Sequence, residues 1–517
     1  MKKKLLTVGV TAMALMALAG CGSTASGKNK QENTGNLKIW TTKLKPATTI
    51  ANVEDSPFHT GLEKATGIKV DWEFPSEGVD DSQAFNLMTS EKELPDIIQY
   101  SMTRDAETYM DDGLIQDLTE LLPEKAPNYW KFLQEHPDFD RAMKTDDHKY
   151  FQFGFFREDV ITATHMGPIL RQDWLKEQNL EAPATIADWE NVLKVFNDKY
   201  GAKLAFTTGR MNPGFSGAFG TYGTFNPAYV VDENGKIIMA QMQSEWKEYM
   251  TWIHKLYQEG LIDPDVLTLD EEGLKTKILN NKVGVTCTTA GTVTGYIESA
   301  QANGEKVEWA GVKYPDQVNG EKSKMIFNDT LDNVYGFVVT KNCTGKRLDE
   351  ALKWLDWAYS EEGNRYWNYG TEGESYEMID GKAQFTDKIL KNELGTYEAL
   401  EMYTAQAELG LGVQNKAVVE ARMRPEAMAA SEVWYNKNDD ALNRTLPNSL
   451  KFTVEEGKEM ATIQNNCDSY ILENTLKFMT GERSLDEFDD FVNELKDQNI
   501  ERAIEIRQGA YDQYLKR

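Results

Sequence analysis

The chain has 517 residues, with 83 acidic against 56 basic side chains and a formal net charge of -27. That balance excludes the basic footprint of a nucleic-acid binder and a basic face for anionic lipid. Hydrophobic residues at 40% and aromatics at 11% also exclude a disordered acidic tail, leaving a folded chain long enough for two to four domains.

Residues 1–20 read as a secretory leader. Lys2, Lys3 and Lys4 precede an apolar run from Leu5 to Ala19 that is too short to span a bilayer. Leu18-Ala19-Gly20-Cys21 matches a bacterial lipobox, so Cys21 is the expected lipidation site and the first residue of the mature chain. Residues 21–36 are rich in Ser, Gly, Asn, Lys and Gln, the composition of a flexible tether. No later run of eighteen apolar residues follows. Of the remaining cysteines, Cys287, Cys343 and Cys467 are odd in number and widely spaced. They read as buried thiols with room for at most one disulfide.

An α/β pattern starts at Leu37. Leu37-Lys38-Ile39-Trp40 reads as a strand, Phe58–Thr66 as a helix closed by Gly67, and Ile68–Trp72 as a second strand. Pro95-Asp96-Ile97-Ile98 opens a third, so a mainly parallel sheet is expected. Thr185 and Asp188 form a capping box ahead of Trp189, Val192, Leu193 and Phe196 on one helical face. Asp263-Pro264 reads as an N-cap with proline in the first turn. Val334–Val339 reads as a strand, and Leu348, Ala351, Leu352 and Leu355 as a helix running to about Gly363. Ser484 and Glu487 suggest a second capping box before Phe488, Phe491, Val492 and Leu495.

Motifs for chemistry are sparse. The five histidines are isolated, and no zinc-protease or phosphate-loop motif occurs. Gly214-Phe215-Ser216-Gly217-Ala218 lacks the last glycine of a nucleophile elbow. The acids around Asp263–Glu272 lack the glycine of a calcium loop. Neither a cofactor nor a metal is expected, and no enzymatic activity.

Several phrases, in order, resemble the bacterial extracellular solute-binding proteins of family 1, in particular the large lipoproteins of oligosaccharide importers. They include Asp55-Ser56-Pro57-Phe58, Thr66-Gly67-Ile68-Lys69-Val70, Leu94-Pro95-Asp96-Ile97-Ile98 and Arg171-Gln172-Asp173-Trp174-Leu175. Further along stand Gly260-Leu261-Ile262-Asp263-Pro264-Asp265, Tyr359-Ser360-Glu361-Glu362-Gly363 and the tail from Phe478 to Tyr514. Some relatives carry a calcium loop after the helix containing Trp189; here Asn197-Asp198-Lys199-Tyr200-Gly201-Ala202 leaves no room for it.

The resemblance implies an α/β, periplasmic-binding-protein-like fold of type II, with two lobes joined by a hinge and the ligand between them. It implies lobe 1 at 37–155 and 334–400, and lobe 2 at 156–333 and 401–517. It also implies a monomer on the outer face of the cytoplasmic membrane, held only by its lipid, that passes an oligosaccharide to an ABC permease. A peptide or another polar solute is the alternative ligand, and a surface glycosidase the alternative class.

A sugar site pairs flat aromatics with planar polar groups. Trp40 and Tyr100 stand at strand ends, where parallel sheets place ligands. Phe153, Phe155 and Phe156 lie at the expected first crossing and either pack between lobes or touch the ligand. Gly214, Gly217, Gly220 and Gly223 interleave with Phe215, Phe219, Tyr222 and Phe225; this loop is either a sugar platform or a turn over the second core. Asn328, Asp329, Asp332 and Asn333 either bind hydroxyls or form turns at the return crossing. Arg210 and Arg424 are candidates for an acidic sugar. The expected contacts are therefore Trp40, Tyr100, Phe155, Phe215, Tyr222, Asp329 and Asn333. Trp189, Trp252, Trp354 and Trp357 are expected in cores.

Overall fold

The computed structural model describes residues 35–517 apart from Lys92, Arg104, 208–214, 223–226, 327–330, 332–334 and 406–409. The signal segment, Cys21 and the tether before Gly35 lie outside the described residues. In chain order the strands are β1 (Leu37–Thr41), β2 (Val70–Glu73), β3 (Ile97–Ser101), β4 (Phe155–Arg157), β5 (Met166–Arg171), β6 (Lys203–Leu204) and β7 (Tyr229–Val231). They continue as β8 (Ile237–Met239), β9 (Val283–Thr289), β10 (Trp309–Gly311), β11 (Tyr335–Val339), β12 (Tyr376–Ile379), β13 (Lys382–Phe385) and β14 (Gly412–Gln414).

Two four-stranded sheets organise two lobes, in the orders β11-β3-β1-β2 and β10-β5-β9-β6. In the first, β1 runs parallel to β2 and β3, and β11 returns antiparallel beside β3. Alternation along its strands buries both faces. Ile39, Ile97, Phe337 and Val339 join Phe58, Tyr129, Trp354 and Trp367 in one core. Trp40, Ile98 and Val338 join Phe85, Met88 and Met110 in the other. The second sheet departs from the parallel expectation: β5 is antiparallel to both β9 and β10, and only β6 runs with β9. The reason lies in the connection, since β5 starts at the lobe boundary and must run away from it. Its neighbours Ile169 and Leu170 point into different cores, one with Trp309 and Trp434, the other with Trp189, Trp246, Phe478 and Phe491.

The lobes are joined by adjacent crossing segments. β4 pairs in parallel with β14, and the Arg157 amide donates to the Leu331 carbonyl at 2.7 Å. Ala405 and Leu411, ahead of β14, pack in the first core.

Local signals account for most element ends. Thr185 and Asp188 form the reciprocal capping box, and Gly201 closes that helix in the left-handed conformation, φ 63°. β6 begins at Lys203, so the connection is as short as the sequence implies. Two signals resolve differently. The helix Lys346–Trp357 stops well before Gly363, because Ser360 caps a new helix, Glu361–Tyr369, through the Gly363 amide. Ser484 accepts from the Asp486 amide, so a single 3-10 turn precedes the helix Phe488–Asp497 in place of a capping box. Cys287, Cys343 and Cys467 are all buried, and none of them is in a disulfide. Trp189, Trp252 and Trp354 are buried in cores, and Trp357 is half-buried.

His59 gives the first lobe a pH signature. Its Nε2 lies 3.0 Å from the Leu44 carbonyl and its Nδ1 2.8 Å from Ser56 Oγ. Burial pushes the imidazole down from 6.5 to about 4, against the opposing pull of the Leu44 carbonyl. Neutral His59 therefore favours the folded state above pH 6.5, and this contribution is lost as pH falls towards 4. The expected loss is about 3 kcal/mol. Urea midpoints at pH 7.5 and 4.5 should differ less in His59→Asn than in the parent chain; equal differences would remove His59 as the cause.

Candidate functional site

Strand direction locates the cleft. β11 begins where the chain returns from the second lobe, and Tyr335 pairs with Ser101 at the end of β3. The carboxyl ends of β1 and β3 therefore face the second lobe. There, Met166 opens β5 after the β4 crossing and pairs with Thr289 at the end of β9. The carboxyl ends of β9 and β6 thus face the first lobe. The carboxyl edges of both sheets are thus turned towards the lobe boundary, the side on which open α/β sheets bind ligands.

The first wall is built on the turn after β1. Thr41 Oγ1 accepts from the amides of Lys43, at 3.0 Å, and Leu44, at 3.1 Å, which bends the chain out of the sheet. Lys43 then reaches Asp81 at 2.6 Å, and its Nζ sits 4.6 Å from the centre of the Tyr335 ring. Asp81 also accepts from Thr42 Oγ1 at 3.2 Å and is the first residue of the helix Asp81–Thr89, where a negative charge is favoured. Burial lowers the Lys43 pKa, but Asp81 and Tyr335 outweigh it and leave the ammonium above its ordinary value. Tyr100 is half-buried and stacks on Phe85 at 4.2 Å with the rings 4° from parallel. Burial raises its hydroxyl pKa, so it remains a neutral donor and acceptor.

The second wall is rich in hydroxyls. Thr207, beyond β6 and only 4% exposed, donates to Glu271 at 2.9 Å and supports this wall from behind. Thr289 ends β9 and caps the helix Ala290–Ala302, with Thr289 and Thr292 hydroxyls 2.8 Å apart. Thr289 and Thr292 are half-buried and Gly291 is exposed. Together the walls offer aromatic edges, one carboxylate–ammonium pair and several threonines, a set that matches hydroxyl-rich ligands.

The residues expected from the sequence fall in different places. Tyr100 lies on the first wall. Trp40, only 5% exposed, packs edge-on against Phe85 and Tyr100 and supports that wall from behind. Phe155 is 2% exposed in the hinge strand, beneath the Arg157 guanidinium, and Phe153 and Phe156 are enclosed in the first core. Phe215 is fully buried between Trp189 and Trp252, at 4.8 and 5.3 Å. Gly217 is small because of the protein's own backbone: a Cβ there would stand 1.9 Å from the Lys324 carbonyl. Tyr222 lines a cavity of about 210 Å³ with Glu233, Gln317, Ser323, Lys324 and Asn438. Lys324 pairs there with Glu233 at 2.6 Å, and the Asn438 amide donates to the Ser323 carbonyl. Arg424 is paired with Glu298 at 2.5 Å. Asp329 and Asn333 lie outside the described residues, as do Arg210, Gly214, Gly223, Phe225, Asn328 and Asp332. Sequence reasoning missed Lys43, Asp81 and Tyr335. The available signal was their place: each sits just past a strand end or opens an element at the carboxyl edge.

Among the described residues, no group of three or more His, Cys, Asp or Glu side chains is placed to hold a metal ion, and no helix is long and apolar enough to cross a membrane.

The family profile described as "Bacterial extracellular solute-binding protein" matches residues 42–365. The fructooligosaccharide ABC transporter substrate-binding protein FusA of Streptococcus pneumoniae is 24% identical, over 88% of this chain and 86% of the relative. Lipoprotein LipO of Bacillus subtilis is 27% identical, over 76% of this chain and 78% of the relative. In fold, the chain is similar to a protein from Bifidobacterium longum infantis described as an "HMO binding ABC-transporter associated Solute Binding Protein". The TM-score is 0.74 at 18% identity, covering 93% of this chain and 99% of that one. The two-lobe α/β fold and a profile match across most of the chain lead to one assignment: this chain belongs to the bacterial extracellular solute-binding proteins.

Proposed function

We propose that the chain captures an oligosaccharide outside the cell by closing its two lobes on it, and delivers it to the permease of an ABC importer without chemical change. What supports this reading is the direction of both sheets, whose carboxyl edges face the lobe boundary, with Tyr100, Tyr335, Lys43 and Asp81 on the first edge and Thr289 and Thr292 on the second. The names of FusA and of the Bifidobacterium protein support a carbohydrate. A ligand touching both walls stabilises the closed hinge by its differential affinity for that state. The proposed lobes are 37–155 with 334 to β14, and 156–333 with the chain after β14. The proposal includes a lipid on Cys21 that tethers a monomer to the outer face of the membrane.

Calorimetric titration of the lipid-free chain tests it, with neutral oligosaccharides of increasing length, a uronate oligosaccharide and a peptide. Saturable binding of an intact oligosaccharide is the expected result. Asp81→Asn should weaken that binding about tenfold, or about 1.4 kcal/mol, because a charged acceptor becomes a neutral one. Binding of the peptide alone, or release of shortened sugar, would overturn the proposal.

A further inference from the structure

Beyond the three neighbouring crossings, charged side chains join the lobes. Glu107 belongs to the helix Ala106–Asp111, which follows β3 by a few residues and packs on the first sheet through Ala106 and Met110. It is paired with Lys451, which lies just ahead of the helix Val454–Thr480 of the second core. Arg517 follows the helix Ile500–Tyr514, also rooted in the second core. Its Nε donates to Asp146 at 2.7 Å and its Nη1 to the Lys144 carbonyl at 3.0 Å. Both acceptors lie in the turn between Met143 and Tyr150 of the first core. The Arg517 side chain is only 2% exposed, and its guanidinium lies over the Tyr514 ring, which Arg141 of the first lobe also approaches.

We infer that the pairs Lys451–Glu107 and Arg517–Asp146 form an electrostatic latch between the lobes, which holds them in the arrangement seen here and sets how often the cleft opens. Both cations belong to the second lobe and both carboxylates to the first, so separating the lobes breaks both pairs together. Burial, and then the Arg517 charge, pushes the Lys451 ammonium below its ordinary pKa, while Asp105 of the first lobe opposes this. With the lobes apart, the like charges on each side lose their compensation. Arg517, enclosed against Tyr514, is also screened less by salt than an exposed pair. The latch therefore favours the arrangement seen here before any ligand arrives; with this arrangement taken as the binding-competent one, weakening the latch lowers apparent affinity in proportion to its population.

The inference rests on the hinge reading, so its test uses no ligand. Small-angle scattering of the lipid-free chain should give a radius of gyration near 23 Å, the value for a compact chain of about this length. Lys451→Glu should raise it by about 1 Å if two lobes of this size separate. The swap Glu107→Lys with Lys451→Glu should bring it back, and Arg517→Ala, which reverses no charge, should raise it by less. Circular dichroism establishes that each variant is folded. Unchanged radii in Lys451→Glu and Arg517→Ala would overturn the latch, as would a swap as expanded as the single reversal.

Discussion

Asp96→Ala is expected to destabilise the chain by about 3–5 kcal/mol, the cost of leaving a buried charge without its partner. Asp96 is buried at the start of β3, where its Oδ2 accepts from the Lys38 amide at 2.9 Å and from Arg347 Nη1 at 2.9 Å. Arg347 is buried too and also donates to the Asn36 carbonyl. Asp96 sits beside Cys343 as well; burial, then the carboxylate, holds that thiol well above its ordinary pKa. One carboxylate thus ties β1, β3 and the start of the helix Lys346–Trp357 together. Guanidinium unfolding of Asp96→Ala should show the loss. Replacing both partners, Asp96→Leu with Arg347→Met, should recover much of it, because no lone charge remains. Equal losses in the single and double variants would mean that packing, and not the pair, is what matters at this position.

The same residue shows what the sequence can carry. Leu94-Pro95-Asp96-Ile97-Ile98 is legible as a buried strand because Ile97 and Ile98 supply both of its faces. Its partner Arg347 is 251 positions away, and nothing local points to it. Capping behaves similarly: Thr185 with Asp188 closes as read, because both reach each other within one turn. The reading of one helix through to Gly363 failed because the apolar spacing continues across the break; only Ser360, an N-cap in disguise, marks the new start. The antiparallel second sheet was illegible for a different reason. Strand direction there follows from where the chain crosses between lobes, a property of the topology and not of the strand.

The first wall of the candidate site was half legible. Tyr100 follows from the rule that ligands sit at carboxyl edges. Trp40 obeys the same rule, but alternation turns its ring to the sheet's second core, three residues short of the half-buried Lys43. Lys43 and Asp81 carry no motif. They acquire a role only when two turns, after β1 and before the helix Asp81–Thr89, meet in space.

Phe215 poses the sharpest contrast between an aromatic platform and an aromatic core. The interleaving of glycine with aromatics places it on a loop after β6, where a sugar platform is plausible from composition alone. In the fold it meets Trp189 and Trp252 edge to face, at 75° and 71°, and no part of it is exposed. Phe215→Ala should therefore cost about 3–5 kcal/mol of stability, the range for emptying a packed aromatic site. Oligosaccharide affinity, measured where the variant is folded, should stay within about twofold, a change under 0.5 kcal/mol. Tyr100→Ala should show the reverse pattern. Its ring is half-exposed, stacked on Phe85 and met edge-on by Trp40. Its removal should lower the denaturation midpoint little and weaken sugar binding about tenfold. The pair of variants, read by titration calorimetry and urea unfolding, separates the two roles. If Phe215→Ala keeps its midpoint and loses the sugar, the segment around it closes over the ligand, and the aromatic wall belongs to the second lobe instead of the first.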